Sequence, residues 1–451
     1  MRKQTRIAFV SLGCAKNLVD SEKMLGELAQ NGCAITTDPD DADAIVINTC
    51  GFLEASRAEA HDAIAEAVTH KKTGRCRKVV VTGCLAQRDG ERLLADVPGI
   101  DALVGVNNRG DVVRAVLGQA DPKQADLYLG DYYWRQDDDT ARLRLTPPHY
   151  AYLRISEGCD QKCTFCTIPS IRGPMHCKSV EQIVAEANEL ANDGAVEINL
   201  IGQDTTSYGR DIEYELGLAG LLRALNGIEA LRWIRLLYVY PTDLTDEILW
   251  TIADCERIVN YIDIPLQHIN DRMLKAMHRR IGKRETVALL ERIRRLIPGV
   301  AVRTTLIAGF PGETDAEFEE LLEFVEDSQF DALGVFPYSN EPDTPSGRMT
   351  DQVPDELKQE RADELMAVQQ EVAFELALQR VGREFEVLIE GAPRDGAQPA
   401  RHAGQAPEVD SLTYVTGRRY EPGEFVEVRC TAAREYDLIA QPTGVILPVI
   451  S

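Results

Sequence analysis

The chain has 451 residues, a formal net charge of −24 at pH 7 and eleven cysteines. This length predicts two or three domains, each large enough to bury its own core. The content of 44% hydrophobic and 27% charged residues is typical of a folded globular chain and excludes general disorder. The acidic charge repels a phosphate backbone unless basic residues cluster, so a basic protein is an easier partner than nucleic acid.

Membrane and secreted proteins are excluded by the pattern of apolar residues. No apolar run approaches the roughly 18 to 20 residues that a membrane helix needs. The N-terminal MRKQTRIAFVSLGC passes from basic residues straight into a strand-like segment, without a signal-peptide core. We therefore expect a cytoplasmic protein without a membrane partner. A reducing compartment keeps thiols unpaired, so metal binding or catalysis is the expected use of the cysteines.

Residues 1–118 alternate strand-like and helical patterns. The strand candidates are RIAFVSLG, ADAIVINT, RKVVVTG and DALVGV. This alternation predicts an open parallel α/β domain with helices on both faces of the sheet. Residues 119–148, which contain DPKQAD and RQDDDTAR and end in two prolines, break both periodicities and are predicted to be a linker.

Residues 149–379 repeat the alternation on a larger scale. The strand candidates are AYLRIS, VEINLIG, LRWIRLLYV, YIDIPL, VAVRTTLIAG and ALGVFPY. Six such units predict a partial (β/α) barrel rather than the closed eight-stranded form, and a long helix follows from Asp355 to Gln379. In residues 380–451 the apolar residues recur at every second position, which is the period of a β-strand. There FEVLIEG, TYVTGRR, EFVEVRCTA and YDLIAQ predict a small C-terminal β-barrel.

A C-x3-C-x2-C run follows the first strand of the central domain. It consists of Cys159, Cys163 and Cys166. Three thiolates at this spacing can hold three corners of a 4Fe-4S cube and leave the fourth iron open for chemistry. A structural zinc site requires four closed ligands, and no fourth Cys or His completes a usual spacing, although His176 and Cys177 follow further along the chain.

Three other cysteines share a position relative to predicted strands. Cys14, Cys50 and Cys84 each lie just past the C-terminal end of a strand candidate. Ligands bind at this edge of an open α/β sheet, so the three thiols are expected to converge there. Each one alone is more typical of a buried structural cysteine. Three at equivalent places favour a shared metal cluster.

The motifs resemble one known family over nearly the whole chain. ISEGCDQKCTFCTIPSIRG is similar to the radical SAM (S-adenosylmethionine) motif, and SLGCAKNLVDSE, INTCGF and VTGCLAQR are similar to the cysteine segments of the methylthiotransferase family. The terminal β-barrel resembles that family's TRAM domain. The resemblance implies that Cys159, Cys163 and Cys166 are the catalytic cluster ligands, at which SAM is cleaved to a radical, and that Phe165 lies near the adenine.

The same resemblance implies two 4Fe-4S clusters and SAM as co-substrate. Cys14, Cys50 and Cys84 are then the ligands of the second cluster, which carries sulfur. One SAM methylates that sulfur and another generates the radical, so the implied reaction is methylthiolation of an unactivated C–H bond. An electron donor such as flavodoxin or ferredoxin is implied as a partner.

Polar residues at the strand edge are candidates for binding SAM. Gln267 and His268 follow the strand YIDIPL, at the edge where active-site residues gather in barrels, and Gln203 follows LIG at the same edge. We predict that these residues contact the cofactor. Plain packing, or an ordinary polar loop in the case of Gln203, is the alternative.

Two substrates are known within the family, a tRNA adenosine and the β-carbon of an aspartate in the twelfth small-subunit ribosomal protein. SLGCAKNLVDSE and ISEGCDQKCTFCTIPS resemble the ribosomal-protein branch. Independently, residues 380–451 contain eight arginines, no lysine and eleven acidic residues, a net charge of −3, whereas a nucleic-acid-binding barrel normally has a basic face. We expect the ribosomal protein as substrate, and nucleic acid only indirectly through the ribosome. A tRNA methylthiotransferase, or a non-catalytic iron-sulfur redox or RNA-binding protein, remains as an alternative.

Overall fold

The computed structural model describes residues 4–119, 124–130 and 138–446. Its N-terminal sheet has the elements β1 (Arg6–Ser11), α1 (Ala15–Gln30), β2 (Ala34–Thr36), a 3₁₀ turn (Pro39–Asp41), β3 (Ala44–Thr49), α2 (Glu54–Thr73), β4 (Lys78–Gly83), α3 (Cys84–Asp89), α4 (Glu91–Asp96), β5 (Ala102–Val104), a 3₁₀ turn (Val106–Asp111), α5 (Val112–Leu117) and β6 (Asp126–Tyr128). The strand order is β2-β1-β3-β4-β5-β6, with parallel neighbours. Strands β3 and β4 are buried along their whole length, as their continuous apolar runs require. The predicted parallel α/β sheet is confirmed.

Part of the segment predicted to be a linker is structured. Strand β6 lies within residues 119–148 and extends the sheet beyond β5. An edge strand this short buries little apolar surface, so it leaves no periodic signal in the sequence. Farther along, residues 138–146 lie against α1, where Leu143 N donates to Glu22 O (3.0 Å). A Cβ at Gly26 would lie 2.1 Å from Ala141 O, so this close approach requires glycine in the helix.

The central domain contains the elements β7 (Tyr150–Arg154), β8 (Ser156–Glu157), α6 (Ile168–Arg172), β9 (His176–Cys177), α7 (Val180–Asn192), β10 (Glu197–Ile201), α8 (Gly217–Asn226), β11 (Trp233–Leu236), a 3₁₀ turn (Pro241–Asp243), α9 (Asp246–Asp254), β12 (Ile258–Asp263), α10 (Asp271–Ala276), α11 (Lys283–Leu296), β13 (Ala301–Ala308), α12 (Asp315–Ser328), β14 (Ala332–Pro337), a 3₁₀ turn (Ser346–Arg348) and α13 (Asp355–Leu378). Its sheet has the order β14-β13-β12-β11-β10-β7, with every neighbouring pair parallel. Strands β8 and β9 form a separate antiparallel pair. The predicted partial barrel is confirmed.

The C-terminal domain is a closed barrel. Its strands are β15 (Glu384–Ile389), β16 (Ala397–His402), β17 (Thr413–Thr416), β18 (Phe425–Arg434) and β19 (Asp437–Ile446), in the order β15-β16-β17-β19-β18. The predicted β-barrel is confirmed, with β16 in addition to the four predicted strands. Strand β16 was not predicted because its sequence AQPARH shows no alternation of apolar and polar residues, and Pro399 and the two alanines are weak strand formers.

The two faces of the central sheet have different coverings. Along β7, Ala151 and Leu153 belong to the core beneath the helices, whereas Tyr150 and Tyr152 point to the opposite, inner face. The loop between β16 and β17 lies on that inner face, since both tyrosine hydroxyls donate to Glu408 (3.0 Å each). Helix α1 also contributes to the inner-face cluster. The inner face is therefore enclosed by both flanking domains. Among the helices of the described ranges, none has the length and apolarity needed to cross a membrane.

Candidate active site

The loop that follows β8 carries the first cysteine triplet, at the C-terminal edge of the central sheet. The triplet consists of Cys159, Cys163 and Cys166. A hydrogen bond from Cys159 N to Gly173 O (3.2 Å) closes the loop at its start. Gly158 has a φ of +74°, and a Cβ there would lie 2.1 Å from Pro174 O. Only glycine allows this backbone approach.

Two thiols of the first triplet resist ionisation in the metal-free protein. Burial raises the pKa of Cys159 and that of Cys166 to about 12, so in the metal-free protein they are protonated at neutral pH and ionise as they bind metal. Arg279 Nη1 lies 3.6 Å from Cys163 Sγ, and its guanidinium lies 4.2 Å from the centre of the Tyr240 ring. The structure thus places the charge of Arg279 beside the triplet.

The second triplet lies at the C-terminal edge of the N-terminal sheet. It consists of Cys14, Cys50 and Cys84. Cys14 precedes α1, Cys50 follows β3 and Cys84 begins α3. The loops are in close contact, because a Cβ at Gly13 would lie 2.9 Å from Cys50 Cβ. Asn17 contacts two of these loops. Its Nδ2 donates to the carbonyl oxygen of Thr49, the residue before Cys50 (2.9 Å), and its Oδ1 accepts from Cys84 Sγ (3.4 Å). The structure therefore brings the three thiols together.

Arg172, the last residue of α6, reaches the second triplet from the central domain. Its Nη2 donates to Cys84 Sγ (3.3 Å) and its Nη1 to Glu157 Oε2 (2.8 Å). Burial raises the pKa of Cys84 to about 12, against the lowering effect of Arg172. For Cys14, burial again opposes ionisation, but the charges of Lys16 and Arg172 lower the pKa below its usual value. The second triplet therefore lies in a positive environment.

A buried chain of polar contacts joins the two triplets. Glu157, two positions before Cys159, accepts from Arg172 and from Arg154 Nη1 (2.6 Å), and Gln203 Nε2 donates to the same carboxylate. Burial disfavours the charged carboxylate, but Arg172 and Arg154 outweigh it and lower the pKa of Glu157 to about 2. Glu157 therefore stays ionised and links the first cysteine loop to the arginine that contacts the second triplet.

Both triplets suit a 4Fe-4S cluster with one open iron. All of these cysteines are free thiols, and each triplet has an arginine beside one sulfur. In the described ranges, no three His, Cys, Asp or Glu side chains lie close enough to share a single metal ion. A cluster makes a different demand, because each thiolate binds its own iron and the sulfurs therefore lie farther apart. The donor sets fit this demand.

The predicted cofactor-binding residues have different environments. Among the described residues, Gln203 and Gln267 each keep a buried side-chain oxygen without a hydrogen-bond partner. His268 is fully buried: its Nδ1 accepts from two backbone amides (2.9 and 3.0 Å), and its Nε2 lies 3.3 Å from Glu313 Oε2 without hydrogen-bond alignment. Phe165 packs, half-buried, on an apolar cluster. Two amide oxygens are thus free for a ligand, and the roles of these four residues stay predictions.

Several charged residues at the site were not identified from the sequence. Arg172 and Lys16 are the single cations within the segments IPSIRG and SLGCAKNLVDSE. Asp20 on α1 pairs with Arg154 (2.7 Å) and Arg172 (3.1 Å). Burial lowers the pKa of Lys16 to about 8. Their partners come from distant segments, so spacing in the sequence carries no signal beyond the motifs themselves.

Comparison with protein families and curated relatives agrees with this architecture. The models of the Radical SAM superfamily, of Uncharacterized protein family UPF0004 and of the TRAM domain match residues 153–325, 6–105 and 381–442. "Ribosomal protein uS12 methylthiotransferase RimO" of Anaeromyxobacter sp. (strain K) is 46% identical, over 97% of this chain and 93% of the relative. Proteins of the same name from Syntrophotalea carbinolica and Geobacter sulfurreducens are 43% and 42% identical, over 97% of this chain and 97% and 98% of their own lengths.

Solved structures support the fold alone. The radical S-adenosylmethionine methyltransferase TsrM from Kitasatospora setae, with cobalamin and a [4Fe-4S] cluster bound, superposes with a TM-score of 0.56 at 13% identity, over 76% of this chain and 74% of that one. The cobalamin-dependent S-adenosylmethionine radical enzyme OxsB gives a TM-score of 0.51 at 13% identity, over 81% of this chain and 56% of its own.

Proposed function

Because this chain belongs to the family of ribosomal protein uS12 methylthiotransferases, we propose that it transfers a methylthio group to the β-carbon of an aspartate side chain in the ribosomal protein uS12. It is a radical SAM enzyme that uses SAM and a 4Fe-4S cluster. The observation that carries the proposal is the presence of two cysteine triplets joined through Arg172 and Glu157. A radical SAM site alone needs one triplet.

The first triplet provides the radical site. Cys159, Cys163 and Cys166 are the proposed catalytic ligands. A 4Fe-4S cluster with an open iron supplies the electron that cleaves SAM into a radical able to take hydrogen from a C–H bond too weakly acidic for a general base. Arg279 holds a positive charge beside Cys163. The unpartnered oxygens of Gln203 and Gln267 accept hydrogen bonds from the cofactor.

The second triplet is the proposed sulfur-transfer site. Cys14, Cys50 and Cys84 hold the second 4Fe-4S cluster there. Cys14 keeps exposed surface although the surrounding protein desolvates its thiol, whereas Cys50 and Cys84 are buried. A reduced flavodoxin or ferredoxin supplies the electrons, and the reaction takes place in the cytoplasm.

The charge of the C-terminal barrel supports a protein substrate. Residues 380–451 carry a net charge of −3 with no lysine, which suits a basic ribosomal protein better than a nucleic acid. The barrel also contacts the inner face of the central sheet through Glu408, so a substrate bound to the barrel lies against the domain that carries the radical site. Contact with RNA is then indirect, through the ribosome.

Anaerobic reconstitution tests the proposed function. The chain is loaded with iron and sulfide, iron is counted, and the enzyme is incubated with dithionite, SAM and recombinant uS12 before intact-mass spectrometry. We expect about eight irons per chain and a methylthio mass gain on uS12. About four irons would contradict the second cluster.

The same experiment separates the alternatives. Eight irons and 5′-deoxyadenosine without a mass gain on uS12, together with modification of tRNA in a parallel reaction, would contradict the ribosomal substrate and favour tRNA. Clusters without any 5′-deoxyadenosine would favour a redox or RNA-binding protein. A tRNA-binding enzyme also predicts binding that weakens steeply with salt.

Replacing Arg172 by glutamine is expected to weaken the second cluster. The change removes the charge that contacts Cys84 and Glu157, and loss of an outer-shell partner typically costs about 10- to 100-fold in metal affinity. Iron release to a chelator, followed anaerobically by absorbance, should therefore be faster than in the wild-type enzyme for the iron of the second triplet, about half of the total. Arg223→Gln is the control, because its pair with Glu247 is exposed to solvent. Equal release from both variants would show that Arg172 has no such role.

A further inference from the structure

A buried lysine lies between the two cysteine triplets. Lys16 is in the first turn of α1, two positions after Cys14, and is only 6% exposed. Its Nζ lies 3.0 Å from the centre of the Tyr238 ring. Tyr238 follows β11 at the C-terminal edge of the central sheet, and its backbone N–H donates to Asp263 at the end of β12 (3.0 Å). The lysine of the N-terminal domain thus points to the radical SAM domain.

The ammonium group of Lys16 has no direct polar partner. In the described part of the chain, no hydrogen bond or ion pair involves it, and its contact is the face of Tyr238. The negative charges that reach it belong to groups with other partners: the thiolate of Cys14 belongs to the second triplet, Glu157 pairs with two arginines, and Asp263 pairs with Arg303 (2.9 Å). A cation in the first turn of a helix also opposes the helix dipole. A buried, unpaired charge is costly, so this arrangement indicates an anionic partner that arrives from outside.

We propose that Lys16 binds the carboxylate of the substrate aspartate and so determines specificity for an acidic side chain. This inference rests on the proposed function. The target C–H bond has to lie between the radical site and the sulfur site, and Lys16, two residues after Cys14, contacts Tyr238 of the domain that carries the radical site. The aspartate β-carbon is bonded directly to the carboxylate, so an ammonium group that holds the carboxylate also fixes the position of the carbon. An asparagine side chain or a nucleobase offers no such charge.

The test compares two enzymes with two substrates. The holoenzyme and its Lys16→Met variant are each titrated anaerobically, without SAM, with uS12 and with uS12 in which the target aspartate is asparagine. We expect the wild-type enzyme to bind the aspartate form about 10- to 100-fold more tightly, because a charge-assisted contact in a buried site is strong. We expect Lys16→Met to bind both forms equally. Methionine replaces the aliphatic part of the lysine side chain without its charge. Lys16→Arg keeps a positive charge and should therefore restore part of the preference for the aspartate form.

Iron content and SAM cleavage separate this role from a structural one. Lys16→Met keeps all three thiols and the charge of Arg172 that also favours ionised Cys14, so it should keep its iron and still release 5′-deoxyadenosine, with a raised KM for uS12. Lys23→Met is the control on the same helix, because its ammonium group donates to Thr140 O (2.9 Å) away from the triplets. Retained preference for aspartate in Lys16→Met would overturn the inference. Loss of about half of the iron would also overturn it, by showing that the lysine serves the cluster.

The inference and the proposed function fail in different ways. If wild-type enzyme gives no methylthio gain on uS12, the proposed function is wrong. If the wild-type enzyme modifies uS12 and Lys16→Met does so with the same KM, only the role of Lys16 is wrong.

Discussion

Simultaneous replacement of Cys14, Cys50 and Cys84 by alanine is expected to abolish methylthiolation while SAM cleavage continues. The triplet lies on the N-terminal sheet, and the loop of the radical site is separately held in the central domain by its own backbone contacts. Iron should fall from about eight to about four per chain, and methylthio transfer should fall by at least about 1,000-fold, since no other sulfur site exists in this mechanism. Iron analysis, 5′-deoxyadenosine release and intact mass of uS12 measure the three quantities.

The matched variant replaces the other triplet. Alanine at Cys159, Cys163 and Cys166 should also remove about four irons but should abolish 5′-deoxyadenosine release together with transfer. Cys255→Ala is the control for the general effect of replacing a cysteine, because this half-buried cysteine at the end of α9 belongs to neither triplet. The two-site assignment is wrong if the N-terminal variant keeps all its iron, or if it still transfers the methylthio group.

Glu197→Gln is expected to have the largest effect on stability. Glu197 is fully buried on β10 and pairs with Arg235 (3.0 Å) and Arg401 (2.5 Å), both also buried. Arg401 belongs to the C-terminal barrel, so the carboxylate joins two domains. Removing its charge leaves the Arg235 guanidinium buried without an acidic partner and leaves Arg401 with Glu390 alone (2.7 Å); breaking a buried pair in this way typically costs about 3–5 kcal/mol. Calorimetry should show the melting temperature of the central and C-terminal domains lowered by about 10 °C.

The pH dependence gives a second test of Glu197. Burial raises and the two arginines lower its pKa, with a net shift below the usual value of 4.5. A lowered carboxylate pKa stabilises the fold fully above the unfolded value, and this contribution is lost as the pH falls through the folded pKa. The difference between wild type and Glu197→Gln should therefore be constant at neutral pH and shrink below about pH 4.5.

A surface ion pair provides the control. Glu384 pairs with Arg429 on the barrel surface, where both side chains are about half exposed to solvent. Such pairs contribute at most about 1 kcal/mol, so Glu384→Gln should melt close to the wild-type temperature. If Glu197→Gln melts at the same temperature as Glu384→Gln, the pair of Glu197 does not hold the domains together.

The three sheets, and the placement of the two cysteine triplets at the edges of two of them, could be predicted from the sequence, because their signals are local. An apolar strand followed by cysteine is visible at Cys14, Cys50 and Cys84, and parallel strands necessarily end at one edge. The spacing of Cys159, Cys163 and Cys166 lies within one loop. Strands β2, β6, β9 and β16 escaped prediction, because strands of two or three residues and a strand rich in proline and alanine lack the period that reveals the others.

The tertiary structure alone decided how the two triplets are connected. Arg172, Glu157 and Asp20 meet from three separate segments, and no spacing along the chain predicts contacts between residues that are far apart in sequence. The same holds for Lys16, whose missing partner becomes visible only when Tyr238 and the already paired acids are seen around it. Sequence by itself determines which residues bear the chemistry, because strand period and motif spacing are local. Charge compensation in a buried site depends on three-dimensional neighbours, and only the fold brings those together.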